Sequence, residues 1–208
     1  MKRRTYSRND SEDLNVFPAF TDLMTNAFMI LSLFLLMALL QAQYLNRKLQ
    51  AAAPIIIDEQ SGNFKFKSGS AELNLDLKNY IFQDIIPSIQ RITQSHDIEF
   101  IQVIGHTDGQ EIGSVGNLDK MLEKVANREA SVTQLKAGSN ADLGLMRALA
   151  VIQEIQKVEE LKNIEFRAYS AAQLYLPSGE LASFDRENNE DRRRIEIRFI
   201  PPGKQQKY

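Results

Sequence analysis

The chain contains no cysteine and only two histidines, His96 and His106. The first absence excludes disulfides and thiolate metal sites and leaves the redox compartment open. The second argues against zinc held by the usual ligand sets, and no cofactor is expected. An excess of one charge sign is missing as well. The 25 Lys and Arg stand against 27 Asp and Glu, a net charge of −2, so composition points to neither a nucleic-acid partner nor an anionic surface. No Gly-x-Ser-x-Gly, phosphate-binding loop or metal-ligand spacing occurs, and Gly113-Ser114-Val115-Gly116 is too short to read as a nucleotide loop. An enzyme is therefore not expected.

What stands out instead is one apolar run, FPAFTDLMTNAFMILSLFLLMALL, from Phe17 to Leu40. About 20 apolar residues cross roughly 30 Å of hydrocarbon, so this run is long enough to span a bilayer. It carries a carboxylate, Asp22, at a cost of about 2.5–3.5 kcal/mol at a helix centre and less near an end. Three readings of Asp22 are open: an N-cap for a shorter helix starting at Leu23, a residue idle at the headgroup level, or a protonatable group facing a partner helix or an aqueous path. The last is favoured because Phe17, Pro18 and Phe20 precede it, so the apolar segment has already begun. Thr21, Thr25 and Asn26 flank it, and positions 22, 25, 26 and 29 share one helical face. A span with one wet stripe belongs against another protein rather than against lipid alone.

Lys2, Arg3, Arg4 and Arg8 outnumber the Arg47 and Lys48 that follow the span, which predicts a cytoplasmic N-terminus. A cleaved signal peptide should have an apolar core of about 7–15 residues; this one is longer and contains Asp22, so an uncleaved anchor is expected.

The domain plan has a polar, poorly ordered tail at 1–16, a transmembrane helix at 17–41, and a helical linker at 42–54 ended by Pro54, with Tyr44, Arg47 and Lys48 as interfacial anchors. From Ile55 to Pro201 the pattern is that of an α/β domain, followed by a polar tail at 202–208. Strands are expected at Ile55–Asp58 and Phe64–Lys67 around a Ser61-Gly62-Asn63 turn, at Ile98–Ile104 ending at Gly105, at Ile164–Tyr169, and at Arg194–Phe199 with one half-exposed face. An amphipathic helix over Leu73–Thr93 should kink or split at Pro87, and a second is expected over Leu143–Val158. Residues 110–139 read as an insertion with one helix bearing Leu118, Met121, Leu122 and Val125. Strands interleaved with helices predict a small mixed sheet with helices packed on it.

Three segments carry chemistry: GHTDG at 105–109, NADLGLMRA at 140–148 and DRRRIEIRF at 191–199. In one reading Asp108 caps local amides at a strand-end turn and Arg147 is an ordinary surface residue. In the other the two face one ligand, and a carboxylate beside a guanidinium suits a zwitterion.

As a set, GHTD, N-x-x-L-x-x-x-R-A and R-R-I-E-I resemble the motifs of OmpA-like peptidoglycan-binding domains over roughly residues 55–200. The resemblance implies that Asp108 and Arg147 hold the diaminopimelate of a wall peptide, with Thr107, Asn140 and Arg193 at the matching motif positions. Gly144 stands where the family has Ser, Arg192 stands where it has Asn, and the insertion separates GHTD from the helix. A single span plus such a domain resembles the B subunits of ion-driven stator complexes. The FTDLMTN segment, the insertion and the short linker look most like those of Zorya anti-phage defence systems. The resemblance implies ion translocation at Asp22, flanked by Thr21, Thr25 and Asn26. It also implies a homodimer inside a ring of multi-span membrane subunits and an inner-membrane location with the wall domain in the periplasm. A flagellar-type stator subunit and a purely structural wall tether are the alternatives.

Overall fold

The computed structural model describes residues 16–49, 52–58 and 66–203. They form two units that divide after Asn46, and each is treated by itself.

The described part of the first unit is one helix, α1, Val16–Leu49, whose last turn runs past the division. Phe17–Asn46 has a mean hydropathy of 2.3 and none of its side chains is buried. A helix apolar on nearly every face requires lipid or other helices around it. The helix begins six residues before Asp22, which excludes the N-cap reading. Asn26 Nδ2 donates to Asp22 Oδ1 at 3.4 Å, and the Thr25 hydroxyl donates to the Thr21 carbonyl at 2.8 Å. The four polar residues expected on the ion path therefore occupy two successive turns. The described part of α1 runs to Leu49, and residues 52–54 are not helical, so the helix stops short of Pro54. The expected N-terminal tail up to Asn15 and the side chains of Arg47 and Lys48 lie outside the described residues.

The second unit is a four-stranded mixed sheet, with strands β1 (Ile55–Asp58), β2 (Phe100–His106), β3 (Phe166–Ala172) and β4 (Arg194–Ile200) in the order β1-β4-β2-β3. β2 and β3 are parallel and the other pairs antiparallel. Ile101, Val103, Ile195, Ile197 and Phe199 on one face are buried beneath the helices, as the period-2 alternation requires.

The helical layer starts with α2, Leu75–Tyr80, whose N-cap Asn74 accepts from Leu77 N at 2.8 Å. It passes through a π-turn, Ile81–Ile85, into α3, Ile86–Ser95. The expected break at Pro87 takes the form of this π-turn just before it, which separates α2 from α3. Proline lacks an N–H and crowds the carbonyl four residues back. The wider turn just before it avoids the conflict, with Ile86 N–H bonding to Ile81 O. In the insertion, α4 (Leu118–Ala126) buries Leu118 and Val125. α5, Asn140–Ile155, starts three residues earlier than expected. The cause is a reciprocal cap: Ser139 Oγ accepts from Asp142 N at 3.2 Å, and the Asp142 carboxylate accepts from Gly138 N at 2.8 Å.

Three strand expectations need correction. No strand forms over Phe66–Lys67, while Phe64 and Lys65 and the turn at 61–63 lie outside the described residues. β2 continues past Ile104 through Gly105 and His106, which pair with Ile195 and Arg194. β4 is an interior strand, and its polar face is exposed only at Arg198, because Arg194 and Glu196 are buried. The segment after β3 covers it there: Arg194 donates to the carbonyls of Tyr175 at 3.3 Å and Leu176 at 3.1 Å.

α5 lies against β2 at two glycines. A Cβ on Gly105 would sit 1.9 Å from Gly144 O, and one on Gly144 would sit 2.3 Å from Ser170 Oγ and 2.7 Å from Gly105 O. Ordinarily Gly→Ala in a helix stabilises by about 1 kcal/mol. Here Gly144→Ala should destabilise instead, by roughly 2 kcal/mol or more, while Gly113→Ala, with open space around it, should be nearly neutral. Thermal unfolding of the two variants checks this, and a stabilised Gly144→Ala protein would contradict it.

Candidate functional site

The loop leaving β2 delivers Asp108, α5 delivers Arg147 from its eighth position, and the turn entering β4 delivers Arg193. With Asn140 at the start of α5, these side chains line one cavity of about 210 Å³. Four of the five residues expected to hold a wall peptide are thereby brought together. Ser68, Gly69, Leu143 and the insertion residues Gln110, Glu111, Ile112, Gly113 and Ser114 complete the walls. The insertion therefore builds the site rather than merely decorating the surface.

Thr107 is the exception and does not line the cavity. Its side chain is buried with no hydrogen-bond partner for the hydroxyl among the described residues, and its N–H donates to Ala172 O at 2.8 Å. It fixes the end of β2 against β3.

Arg147 is not a surface residue: it is only 1% exposed. Its Nε donates to Ser70 O at 3.1 Å, and its guanidinium stacks 4.6 Å from the Phe66 ring centre. A guanidinium held on both sides is pre-organised, which reduces the entropy lost on meeting a carboxylate. Asp108, 5% exposed, pairs with Arg193 at 2.7 Å and accepts from Gln110 N at 3.3 Å. Arg193 also donates to Asn188 Oδ1. Asn140 Nδ2 donates to Gln110 O at 2.9 Å and so ties the loop to the helix. The local-cap reading of Asp108 is thus correct in part, but the carboxylate sits within a cationic cluster at a cavity. The cavity walls carry two guanidinium groups and two carboxylates, Asp108 and a Glu111 already paired with Arg186, and such a site can take a ligand that carries both charge signs.

Sequence reasoning missed Phe66, Ser70 and Gln110, which act through an aromatic face or backbone atoms and leave no motif. It also missed the polar face of the sheet. There Glu196 meets Arg194 at 2.9 Å, Arg198 at 2.5 Å and His106 at 3.0 Å. The His106 contact is close but poorly aligned for a hydrogen bond. The His106 contact, followed by Arg198, holds the Glu196 carboxylate down to about 2 against burial, which pushes it up.

No family model and no curated protein matches the chain. Among solved structures it is similar to the periplasmic domain of Helicobacter pylori MotB (residues 78–256), at 18% identity and TM-score 0.46, covering 74% of this chain and 78% of that one. It is similar to a MotB-like protein from Desulfovibrio vulgaris at 15% identity and TM-score 0.45, over 74% and 79% of the two chains. The OmpA-like domain of FopA1 from Francisella tularensis follows at 14% identity and TM-score 0.36, over 73% and 79%. At these values the likenesses carry no inference about what the chain does.

Because the carboxyl of Glu196 is depressed in the fold, its stabilisation is present above the unfolded value of 4.5 and is lost as pH falls through about 2. The unaltered protein should lose on the order of 3 kcal/mol between pH 5 and pH 2 from this group. Glu196→Gln should be less stable at pH 7, with a flatter dependence in that window, as read by denaturant unfolding at several pH values. Parallel pH profiles would contradict the assignment.

Proposed function

We propose that the chain is a wall-anchored B subunit of an ion-driven inner-membrane motor. What supports this most is the convergence of Asp108, Asn140, Arg147 and Arg193 on one cavity from three distant parts of the sequence. The cavity's charge pattern suits the diaminopimelate end of a wall peptide: Arg147 takes the carboxylate, and Asp108, steadied by Arg193, takes the ammonium.

α1 supplies the other half of the reading. Asp22 lies in a helix of membrane-spanning length, on a stripe with Thr25 and Asn26. In the motor, two copies pair these helices inside a ring of multi-span subunits, and Asp22 alternates between protonated and ionised. Each charge crossing 100 mV delivers about 2.3 kcal/mol. The excess of Lys and Arg before the helix puts the N-terminus in the cytoplasm and the sheet domain in the periplasm. The wall grip gives the torque something to push against. The FTDLMTN segment and the insertion favour the Zorya defence motor, with this chain as its ZorB-type subunit, over a flagellar stator.

Asp108→Asn should lower the melting temperature, because it leaves Arg193 without its buried partner, and should reduce co-sedimentation of the still-folded full chain with isolated peptidoglycan sacculi at least tenfold at a temperature below that transition; undiminished co-sedimentation would contradict the wall site. Asp22→Asn keeps the shape and loses the proton. It should abolish phage protection in cells while co-purification with the multi-span partner persists, and protection retained in that variant would end the ion-carrier assignment.

A further inference from the structure

Beside the proposed peptide site lies a larger cavity of about 510 Å³. The two share Glu111, Ile112, Gly113 and Asn140 in their walls, so one extended ligand can occupy both. The larger cavity is lined by Arg192, the position at which the chain carries a third consecutive arginine. Arg192 is 3% exposed, and the one hydrogen bond of its guanidinium among the described residues runs from Nη2 to the carbonyl of Gln173. Its Nε is buried without a partner among those residues. No carboxylate among the described residues pairs with it, whereas Arg193 and Arg194 each have one.

A desolvated guanidinium without a counter-charge is costly unless something completes it. The other charged groups in the cavity do not. Glu111 is paired with Arg186, and Asp185 Oδ1 accepts from Glu187 N at 2.8 Å. The rim is apolar and open: Leu174, Leu181 and Phe184 are 51%, 72% and 87% exposed. An anion with small apolar neighbours fits this surround better than a cation or a bulky polar group.

We infer that the larger cavity is a second carboxylate subsite, in which Arg192 binds a backbone carboxylate of the same wall peptide whose diamino acid occupies the smaller one. The inference rests on the wall-binding reading. The carboxylate comes either from the glutamyl residue or from the backbone carboxyl of the diamino acid, with alanine methyl groups against Leu181 and Phe184.

The test uses the full chain in detergent and calorimetric titration with the stem tripeptide L-Ala-γ-D-Glu-diaminopimelate in three forms. One has all carboxylates free, one has the glutamyl α-carboxylate amidated, and one has the diaminopimelate backbone carboxylate amidated. Amidation at one of the two positions should weaken binding to the unaltered protein on the order of tenfold, as expected for loss of a charge-assisted bond, and which one identifies the source. Arg192→Gln should weaken the free peptide by a similar factor and leave that amide unaffected. Leu181→Glu, at an exposed rim position, should likewise disfavour the free peptide by like-charge repulsion without disturbing the buried arginine. Indifference to both amidations, or equal losses for free and amidated peptide in both variants, would overturn the subsite. Binding that Asp108→Asn abolishes but amidation leaves unchanged would overturn the subsite alone. No binding by the unaltered protein would overturn it together with the wall-anchor reading.

Discussion

The arrangement of the second unit depends on one close approach, where the backbone of α5 meets the backbone of β2 at Gly144 and Gly105. Asp108 lies three residues after Gly105, and Arg147 lies three residues after Gly144. Fixing the two glycines against each other therefore fixes the carboxylate and the guanidinium on the two sides of one cavity. Any side chain at either glycine would push the helix off the strand, and packed interiors have little slack to absorb that. The site is thus a consequence of helix-on-sheet packing. The Ser139 cap, the Asn140 tie to Gln110 and the Phe66 platform then hold its parts in place.

Charge is distributed to match. The run Arg192-Arg193-Arg194 begins just before β4, and each arginine meets a different surround. Arg194 joins Glu196 on the covered face of the sheet, Arg193 joins Asp108 at the cavity, and Arg192 lines the adjoining larger cavity. A stretch that looks like a plain basic cluster thus serves three roles, because a turn and then a strand send successive side chains in different directions. Buried ion pairs of this kind add little net stability over apolar packing, but breaking one partner is costly, which makes them suited to holding a site in register.

The mixed α/β layout was legible in the sequence, as were the long apolar helix, the helices around residues 75–95 and 140–155, and the grouping of Asp108 with Arg147. All of these have periodic or motif signals. Less legible was anything decided by tertiary contact. The burial of Arg194 and Glu196 depends on a distant segment laid over an alternating strand that reads as half-exposed. The extension of β2 to His106 depends on pairing with β4, and the form of the break before Pro87, a π-turn, is one that no propensity signals. Thr107 belongs to the motif yet faces the core, because consecutive strand-end residues point to opposite sides. Gly144, a departure from the family pattern when read along the chain, is a packing requirement once Gly105 is seen beneath it.

Under the proposed function, a zwitterionic diamino acid, rather than a simple cation or a simple anion, completes the cavity between Asp108 and Arg147. Titration of the full chain in detergent with free meso-diaminopimelate, and separately with cadaverine and with pimelate, tests it most directly. Diaminopimelate alone should show measurable saturable binding, since only it offers an ammonium and a carboxylate at the same end. Equal binding of all three, or of none, would contradict it.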